Sequence, residues 1–320
     1  MISVRRAVTT LALATLTLAS LTACSATAGD SATGEETKVL GAIQFSGSDV
    51  FSNAALEGGA EYAKKHGWEV KTIDAHGSVD EMNAAMTNLV TTGVDAIMVT
   101  VFPSEALASG IASARDAGVP VASWGGGIAD GVQFAADVWL DESTSQMISD
   151  LRGEGDILTL GYRPGLPCQG REDGLDKLLA DTSITQTKQQ ITVPGQVESA
   201  QAATSAWAAA HPAGQPLAVW ACFDDPVVGA VAALRDLGRD DVRTYSINGT
   251  SAAIDLVQSG ELTATTWYNS PKQGEDLMKL LIAHVEDPSS VEAPQTIGGE
   301  VVLINSDNVE EFLAGNPTLY

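Results

Sequence analysis

The chain has 320 residues and is strongly acidic, with 41 acidic against 17 basic side chains and a formal net charge of −24 at pH 7. This charge disfavours partners that are themselves polyanionic, namely nucleic acid and acidic lipid surfaces. We interpret the charge as a source of solubility and mutual repulsion in preference to a sign of a cationic ligand.

The N-terminal segment has the features of an export signal. Arg5 and Arg6 precede an apolar stretch over residues 7–21, and small residues lead up to Cys24. The stretch is too short for a transmembrane helix, so we expect residues 1–23 to be a lipoprotein signal peptide. Cys24 is then the lipidated residue, and the protein stands outside the cytoplasm, held at the cell membrane by this anchor alone. The alternative is an ordinary signal peptide in which Cys24 has no role.

Residues 24–37 predict a flexible tether. They are rich in Ser, Thr, Ala and Gly and lack the large apolar side chains that folding requires. The remaining residues, 38–320, are enough for one large domain or two ordinary domains with a sizeable core.

Segments typical of β-strands alternate with helical segments in the first half of this remainder. Residues 39–45 are apolar and bounded by glycine and serine, as in a strand buried on both faces of a parallel sheet. Ser78 and Glu81 have the spacing of a capping box at a helix start. The predicted strands are 39–45, 68–75, 96–101, 120–124 and 132–136, and the predicted helices are 49–66, 78–93 and 104–117.

The same alternation recurs in the second half. Asp225 is predicted to cap a helix whose first turn contains Pro226. The predicted strands are 156–160, 190–193, 217–222, 243–247 and 263–268, and the predicted helices are 171–180, 197–210, 225–238 and 251–259. A further helix, 273–285, is assigned to the first lobe, and a last strand, 300–304, to the second. The pattern predicts an α/β protein with two doubly wound parallel-sheet lobes.

The residues that follow the predicted strands are the candidates for a binding site. In open parallel sheets, ligands bind beyond the carboxyl ends of the strands. Aromatic rings stack on the C–H faces of a sugar, and amide, carboxylate and guanidinium groups bond its hydroxyls. We therefore predict a site for a neutral polyhydroxylated ligand, with these binding residues: Asp49, Phe51, Thr100, Trp124, Arg171, Phe223, Asn248 and Tyr268.

Several of these residues also have a structural interpretation. Phe51, Phe223 and Trp124 can be core residues, and Asp49 can simply cap its helix. Arg171 is followed by two acidic residues, so it can belong to a solvated charge cluster.

Known catalytic and cofactor motifs are missing from the sequence. Residues 125–127 are three glycines after a predicted strand, but they form no GxGxxG motif. Either they make a simple turn, or their backbone N–H groups face a ligand. No P-loop, HExxH or GxSxG pattern occurs, and the four histidines have no metal-ligand spacing. We therefore predict a protein that is not an enzyme and that uses no metal and no cofactor.

The order and spacing of these segments resemble the ribose and pentose type of periplasmic sugar-binding protein, the receptor component of ABC importers. The segments that carry the resemblance are AALEGGAEYAKKHGWEV, REDGLDKLL, AVWACFDDPVVGAVAALRDLGR and YSINGTSAAIDLVQSGELTAT. The resemblance implies a type I clamshell with crossing segments near 136–139, 268–270 and 301–304. Its N-terminal lobe would comprise 38–136 and 270–298, and its C-terminal lobe 137–269 and 299–320.

The resemblance also assigns ligand positions. They fall on Asp49, where asparagine is usual, on the stacking residue Phe51, on Arg171, and on Asn248, where many relatives have aspartate. Tyr268 stands near a hinge-side glutamine of the family.

Two departures from the family pattern concern polar ligand-binding positions. Trp124 and Gly125 replace an Asp-Arg pair, and Phe223 replaces an asparagine. The loss of a carboxylate and the gain of two aromatic rings imply a ligand that is larger, less polar or more modified than ribose.

Two cysteines are left once Cys24 is assigned to the lipid. The strand order 2-1-3-4-5, common in doubly wound sheets, places the exits of the first and third strands side by side. Cys168 and Cys222 lie at or just beyond those exits in the second lobe. In an oxidising compartment we expect them to form a disulfide at the rim of the site, provided that their Cα atoms lie within ~7 Å.

Together these observations predict a monomeric, lipid-anchored solute-binding protein that captures a sugar or polyol and delivers it to an ABC permease. One alternative is a sensing receptor of the same fold, and another is a receptor for a non-sugar molecule such as a nucleoside. A secreted enzyme is a third. A transcriptional regulator is disfavoured, because an export signal stands where a DNA-binding module would be.

Overall fold

Two six-stranded sheets form the framework of the structure, a computed structural model that describes residues 37–138 and 142–316. The predicted signal peptide, Cys24 and all but the last residue of the predicted tether lie outside the described residues. Within the described segments, no helix is both long enough and apolar enough to span a membrane.

Strands and helices alternate along most of the chain. The strands are β1 (Val39–Gln44), β2 (Glu69–Asp74), β3 (Ala96–Thr100), β4 (Val121–Trp124), β5 (Phe134–Ala136), β6 (Glu154–Gly161), β7 (Ser183–Gln190), β8 (Leu217–Ala221), β9 (Val242–Asn248), β10 (Ala264–Tyr268), β11 (Gln295–Ile297) and β12 (Val301–Asn305). The helices are α1 (Val50–Lys65), α2 (Val79–Thr91), α3 (Ala108–Asp116), α4 (Ser143–Asp150), α5 (Leu166–Leu179), α6 (Gln196–Ala210), α7 (Asp224–Asp236), α8 (Ser251–Ser259), α9 (Ser270–Glu286) and α10 (Val309–Gly315). A 3₁₀ turn, Ser104–Leu107, precedes α3.

Both sheets have the predicted doubly wound topology. The first has the order β2-β1-β3-β4-β5-β11 and is parallel throughout. The second has the order β7-β6-β8-β9-β10-β12 and is parallel except for β12, which pairs antiparallel with β10. We use "first lobe" for the first sheet with α1, α2, α3 and α9, and "second lobe" for the second sheet with the other helices. The predicted fold class is confirmed.

The central strands are apolar because helices cover both faces of each sheet. All five residues of β3 are buried, as are all five of β8. Such near-continuous apolar segments are typical of parallel strands and distinguish them from strands with one solvated face. The edge strands β2 and β7 are mostly polar by contrast, since one of their sides lacks a neighbouring strand.

The elements of the described residues imply three crossings between the lobes, after β5, after β10 and after β11. Helix α9 packs against α1 beside the first sheet, and β12 returns to the second sheet, as the sequence predicted. The exact lobe boundaries stay a prediction, and part of the first crossing segment lies outside the described residues.

Some predicted elements are displaced or incomplete. The strand predicted at 190–193 lies at Ser183–Gln190, an edge strand of polar sequence, where pairing with β6 outweighs the missing apolar pattern. Helix α5 begins at Leu166, five residues before the predicted start at Arg171. Helices α4 and α10 and strand β11 were not predicted, since all three are short, and α4 and β11 also carry few apolar residues.

Two predicted caps also differ from the structure. Asp225 does not cap α7; the N-cap is Phe223, which makes no side-chain cap, and Asp225 lies inside the first turn together with Pro226. At α2, Ser78 accepts a hydrogen bond from the Glu81 N–H, but the Ser78 N–H bonds to the Ala75 carbonyl. Only one half of the predicted capping box therefore forms.

Close packing of α1 against α9 depends on glycine. A Cβ atom on Gly274 would lie 1.7 Å from the Ala55 carbonyl oxygen, and one on Gly58 would lie 2.1 Å from the Pro271 carbonyl oxygen. Both distances are far below van der Waals contact, so the two helix backbones can approach this closely only without side chains at these positions.

We expect Gly274→Ala to lower the free energy of unfolding by about 2–3 kcal/mol, because the added methyl group forces the helices apart. Gly174→Ala is the matched control: Gly174 also lies within a helix, and a Cβ there meets no atom within 4 Å. This change should raise stability by about 0.5–1 kcal/mol. Urea denaturation of both variants checks the prediction, and equal midpoints for the two variants would contradict it.

Candidate functional site

A cleft between the lobes collects residues that follow strands of both sheets. Of the eight predicted binding residues, six line it: Asp49, Phe51, Trp124, Arg171, Phe223 and Asn248. The other lining residues are Phe45, Val101, Tyr162, Gly165, Pro167 and Cys168. The loops at the carboxyl ends of the strands thus meet at one place, as open parallel sheets require.

Aromatic rings form much of the cleft wall. The rings of Phe51 and Trp124, both from the first lobe, meet edge to face at 5.1 Å between centroids. Across the cleft, Phe45 of the first lobe meets Tyr162 of the second in the same way at 5.7 Å. Edge-to-face pairs hold each ring in one orientation, so the cleft offers fixed apolar faces to a ligand.

The ring of Trp124 lines the cleft, and its indole N–H is used inside the protein. The side chain is 1 % exposed, and Nε1 donates to Oε1 of Gln273 at 3.1 Å. Nε2 of Gln273 in turn donates to the carbonyl of Asp137, in the first crossing segment. Trp124 can therefore offer a ligand its ring face but not its hydrogen-bond donor.

The three glycines after β4 form a tight turn. Gly125 has a φ of +74°, and its N–H donates to the carbonyl of Ala136. A Cβ on Gly126 would lie 2.3 Å from the Phe102 carbonyl oxygen. Glycine is thus required here by backbone geometry and close packing.

Arg171 is the buried cation of the cleft, and it does not belong to a solvated charge cluster. Its side chain is 3 % exposed. One terminal nitrogen donates to the Cys222 carbonyl at 2.7 Å and to Oδ1 of Asn248 at 3.1 Å, and the other donates to the Val138 carbonyl at 2.8 Å. Its Nε is buried and has no hydrogen-bond partner among the described residues. A guanidinium held in place by three bonds, with its Nε–H unused, is prepared to bind an oxygen atom of a ligand.

Asp49 both caps a helix and lines the cleft. Its carboxylate accepts hydrogen bonds from the backbone N–H and the hydroxyl of Ser52 at the start of α1. Burial raises the pKa of the Asp49 carboxyl above its ordinary value, although the bonds from Ser52 and the charge of Arg171 oppose the rise. The structural and the ligand-binding interpretations of this residue are therefore compatible.

A second carboxyl group, Asp225, stands near Asp49 and belongs to the other lobe. Burial and the negative charge of Asp49 raise the pKa of Asp225 to about 7, against the lowering effect of a hydrogen bond from Gln196. The same two causes, burial and Asp49, raise the pKa of Tyr162 to about 12. Sequence reasoning assigned Asp225 a capping role and so missed this position.

The two remaining predicted residues lie behind the cleft wall. Thr100 is fully buried; its hydroxyl accepts from the N–H of Phe45 and donates to the Ile43 carbonyl, which joins β3 to β1. The ring of Tyr268 lies 6.1 Å from that of Phe51 and 5.6 Å from the guanidinium carbon of Arg171. Both residues support side chains that line the cleft.

Asp224, beside Asp225, organises the second-lobe wall. Its buried carboxylate accepts hydrogen bonds from the hydroxyls of Ser246 and Thr265 and from the N–H of Thr250. These bonds join α7 to β9, β10 and the start of α8. Burial raises the pKa of Asp224, and the hydrogen bonds oppose the rise.

The structure contains a disulfide between Cys168 and Cys222, with Cα atoms 5.3 Å apart. Cys168 lines the cleft, and the Cys222 carbonyl is one of the acceptors of Arg171. The bond therefore joins the first turn of α5 to the end of β8, next to the buried cation.

Val101 lines the cleft but is not among the eight predicted binding residues. Its φ of +71° is unusual for a β-branched residue. The Val101 carbonyl accepts a hydrogen bond of 3.0 Å from the N–H of Leu166, the first residue of α5 in the second lobe. The signal available in the sequence was position alone, since Val101 directly follows β3.

Comparisons with known proteins agree with this architecture. The sequence profile of the periplasmic binding protein domain matches residues 42–288. A xylitol-binding protein from Mycolicibacterium smegmatis is 28% identical over 245 residues, which are 74% of this chain and 69% of that protein.

Two solved structures of ABC transporter solute-binding proteins show the same fold. One, from Agrobacterium vitis with bound allitol, has a TM-score of 0.80 and 23% identity, and the match covers 87% of this chain and 99% of that one. The other, from Bacillus halodurans with bound myo-inositol, has a TM-score of 0.75 and 22% identity, and covers 88% and 99%.

The raised pKa of Asp225 predicts a pH-dependent stability. The folded-state pKa of Asp225 is about 7, against an ordinary value of 3.8, so the protonated carboxyl favours the folded state. This contribution to the free energy of unfolding is fully present below pH 3.8 and is lost as the pH rises through about 7. We expect Asp225→Asn to raise the thermal unfolding midpoint more at pH 8 than at pH 5. Asp181→Asn, which removes an exposed charge, is the control. An equal effect of Asp225→Asn at both pH values would contradict the prediction.

The disulfide should contribute strongly to stability. It closes a loop with a sequence separation of 54 residues, and the loss of chain entropy in the unfolded state corresponds to about 4 kcal/mol. We expect the double variant Cys168→Ser/Cys222→Ser to lose this amount in urea denaturation without reductant. With reductant, variant and wild type should unfold at similar urea concentrations; a difference that persists there would assign the loss to serine packing.

Proposed function

The chain belongs to the periplasmic binding protein domain family, and on this premise we propose that it is an extracytoplasmic receptor that captures a sugar alcohol or sugar between its lobes. The closed form would then be presented to an ABC-type permease. Members of this family are binding proteins, and the proposal involves no catalytic step.

The buried Arg171 with its unpartnered Nε is the observation that carries the proposal. Three of its donors are already held by protein acceptors, so the guanidinium cannot reorient, and Nε, which has no partner among the described residues, is left for a ligand oxygen. A neutral hydroxyl suits this donor, because the Asp49 carboxyl already interacts with the charge of Arg171 in the same cleft.

The aromatic wall supports a ligand with an apolar side. Phe51, Trp124 and Phe223 offer ring faces to C–H groups, while Asp49 and Asn248 supply oxygen and amide groups for hydroxyls. A polyol presents both kinds of surface along one short chain. The xylitol-binding relative from Mycolicibacterium smegmatis makes the five-carbon sugar alcohol the first ligand to test.

Capture would work by a shift of population between open and closed arrangements. Lining residues come from both lobes, so a ligand that contacts both of them stabilises only the closed arrangement. The three chain crossings provide the hinge in this proposal, as in other two-lobed binding proteins.

We further propose that the protein is anchored by a lipid on Cys24, with residues 24–37 as its tether, and that it acts as a monomer. The family supports a location outside the cytoplasm, and the sequence around Cys24 supports the anchor.

We expect xylitol to raise the thermal unfolding midpoint in a saturable way, because a ligand at 100 times its Kd stabilises the folded state by about 2.7 kcal/mol. Arg171→Lys keeps the positive charge but lacks the planar guanidinium with its Nε–H donor. It should weaken xylitol binding by about 10- to 100-fold in calorimetric titration. Arg163→Ala, an exposed arginine near the cleft, is the matched control and should bind like the wild type.

The same thermal assay against pentoses, hexoses, nucleosides and amino acids tests the ligand class. A response to nucleosides or amino acids alone would overturn the sugar-alcohol proposal and leave the two-lobed receptor. Consumption of xylitol during the incubation would instead indicate an enzyme.

A further inference from the structure

Gln196, the first residue of α6, connects the two lobes at the edge of the cleft. Its side chain is buried, at 5 % exposure, although the residue begins a helix on the surface of the second lobe. Nε2 donates to Oδ2 of Asp225 at 2.8 Å. The same nitrogen lies 3.2 Å from the carbonyl oxygen and 3.4 Å from the hydroxyl of Ser48, in the first-lobe loop between β1 and α1.

The orientation of the Gln196 amide is fixed by its own partners. Oε1 accepts a hydrogen bond of 3.1 Å from the N–H of Gly195, so the nitrogen is the end that faces Asp225 and Ser48. An amide nitrogen carries two hydrogens, which gives one for the carboxylate and one for the two Ser48 oxygens. Gln196 therefore satisfies an acceptor in each lobe at once.

Closure has an electrostatic cost at this place. Asp49 of the first lobe and Asp225 of the second are brought near each other, and the charged groups that act on Asp225 are Asp49 and its own neighbour Asp224. Like charges in a partly buried site repel, and no cation among the described residues compensates Asp225. The Gln196 amide is the neutral donor that stabilises the Asp225 carboxylate there.

We propose that Gln196 is a closure residue: it stabilises the closed arrangement of the lobes, and so sets ligand affinity, without touching the ligand. Gln196 is absent from the cleft lining, and its bonds to Ser48 exist only while the lobes are together. The inference rests on the proposed function, since it couples closure to capture. Observed affinity scales with the fraction of molecules that can close, so a lost cross-lobe bond weakens binding of any ligand.

The test compares Gln196→Ala with a matched control, Gln186→Leu. Gln186 is a half-buried glutamine of the same lobe, with its amide bonded to the Thr159 hydroxyl of that lobe. We expect Gln196→Ala to weaken xylitol binding about ten-fold, with a ligand-free unfolding midpoint close to that of the wild type. Gln186→Leu should bind like the wild type.

Gln196→Glu adds a third carboxylate to the site and removes the donor. It should weaken binding at least as much as alanine, and more at pH 8 than at pH 6, because the introduced carboxylate, Asp49 and Asp225 then repel one another. Unchanged xylitol affinity in both position-196 variants would overturn the inference. A weakened affinity together with a clearly lowered ligand-free unfolding midpoint would overturn it too, because that pattern indicates general destabilisation of the fold.

Small-angle X-ray scattering separates this inference from the proposed ligand. If the wild type fails to bind xylitol, the ligand proposal fails. The scattering of the ligand-free proteins then tests by itself whether Gln196 stabilises the closed arrangement. We expect a larger radius of gyration for Gln196→Ala than for the wild type and Gln186→Leu. Identical scattering from all three proteins would overturn the closure role.

Discussion

The buried guanidinium of Arg171 is the interaction around which the cleft is built. It ties the Cys222 carbonyl at the end of β8, Asn248 at the end of β9 and the Val138 carbonyl in the first crossing segment into one cluster. A charge taken out of water is tolerated only when it is well hydrogen-bonded or paired. The second-lobe wall and the crossing segment are therefore held in a fixed geometry before any ligand arrives.

Two opposing effects meet where the lobes touch. Aromatic contacts and hydrogen bonds across the cleft favour closure, whereas the approach of Asp49 to Asp225 opposes it. A receptor needs such a balance, because a lobe arrangement that is too stable when closed would neither admit nor release its ligand. Gln196 and the Val101 carbonyl favour the closed arrangement, because each forms a hydrogen bond between the lobes.

The departures from the family pattern acquire a physical meaning in the cleft. Trp124 and Phe223 both line it, and the indole N–H of Trp124 is used by Gln273, so ring faces replace hydroxyl-binding groups at both positions. The polar groups that remain, Asp49, Arg171 and Asn248, lie among these rings. The site thus combines few but fixed hydrogen-bonding groups with a large apolar surface.

Local pattern determined most of the fold. Buried strands, helix starts and strand exits are set by residues near one another in sequence, so the doubly wound order, six lining residues and the proximity of Cys168 and Cys222 could be predicted. The position of β7 depends on its pairing with β6, which only the tertiary structure shows. The tertiary structure also shows that Thr100 and Tyr268 lie behind the cleft wall and do not line it. It alone gave Asp225 and Gln196 their cross-lobe neighbours, because burial and repulsion there arise between residues far apart in the chain, which no local pattern records.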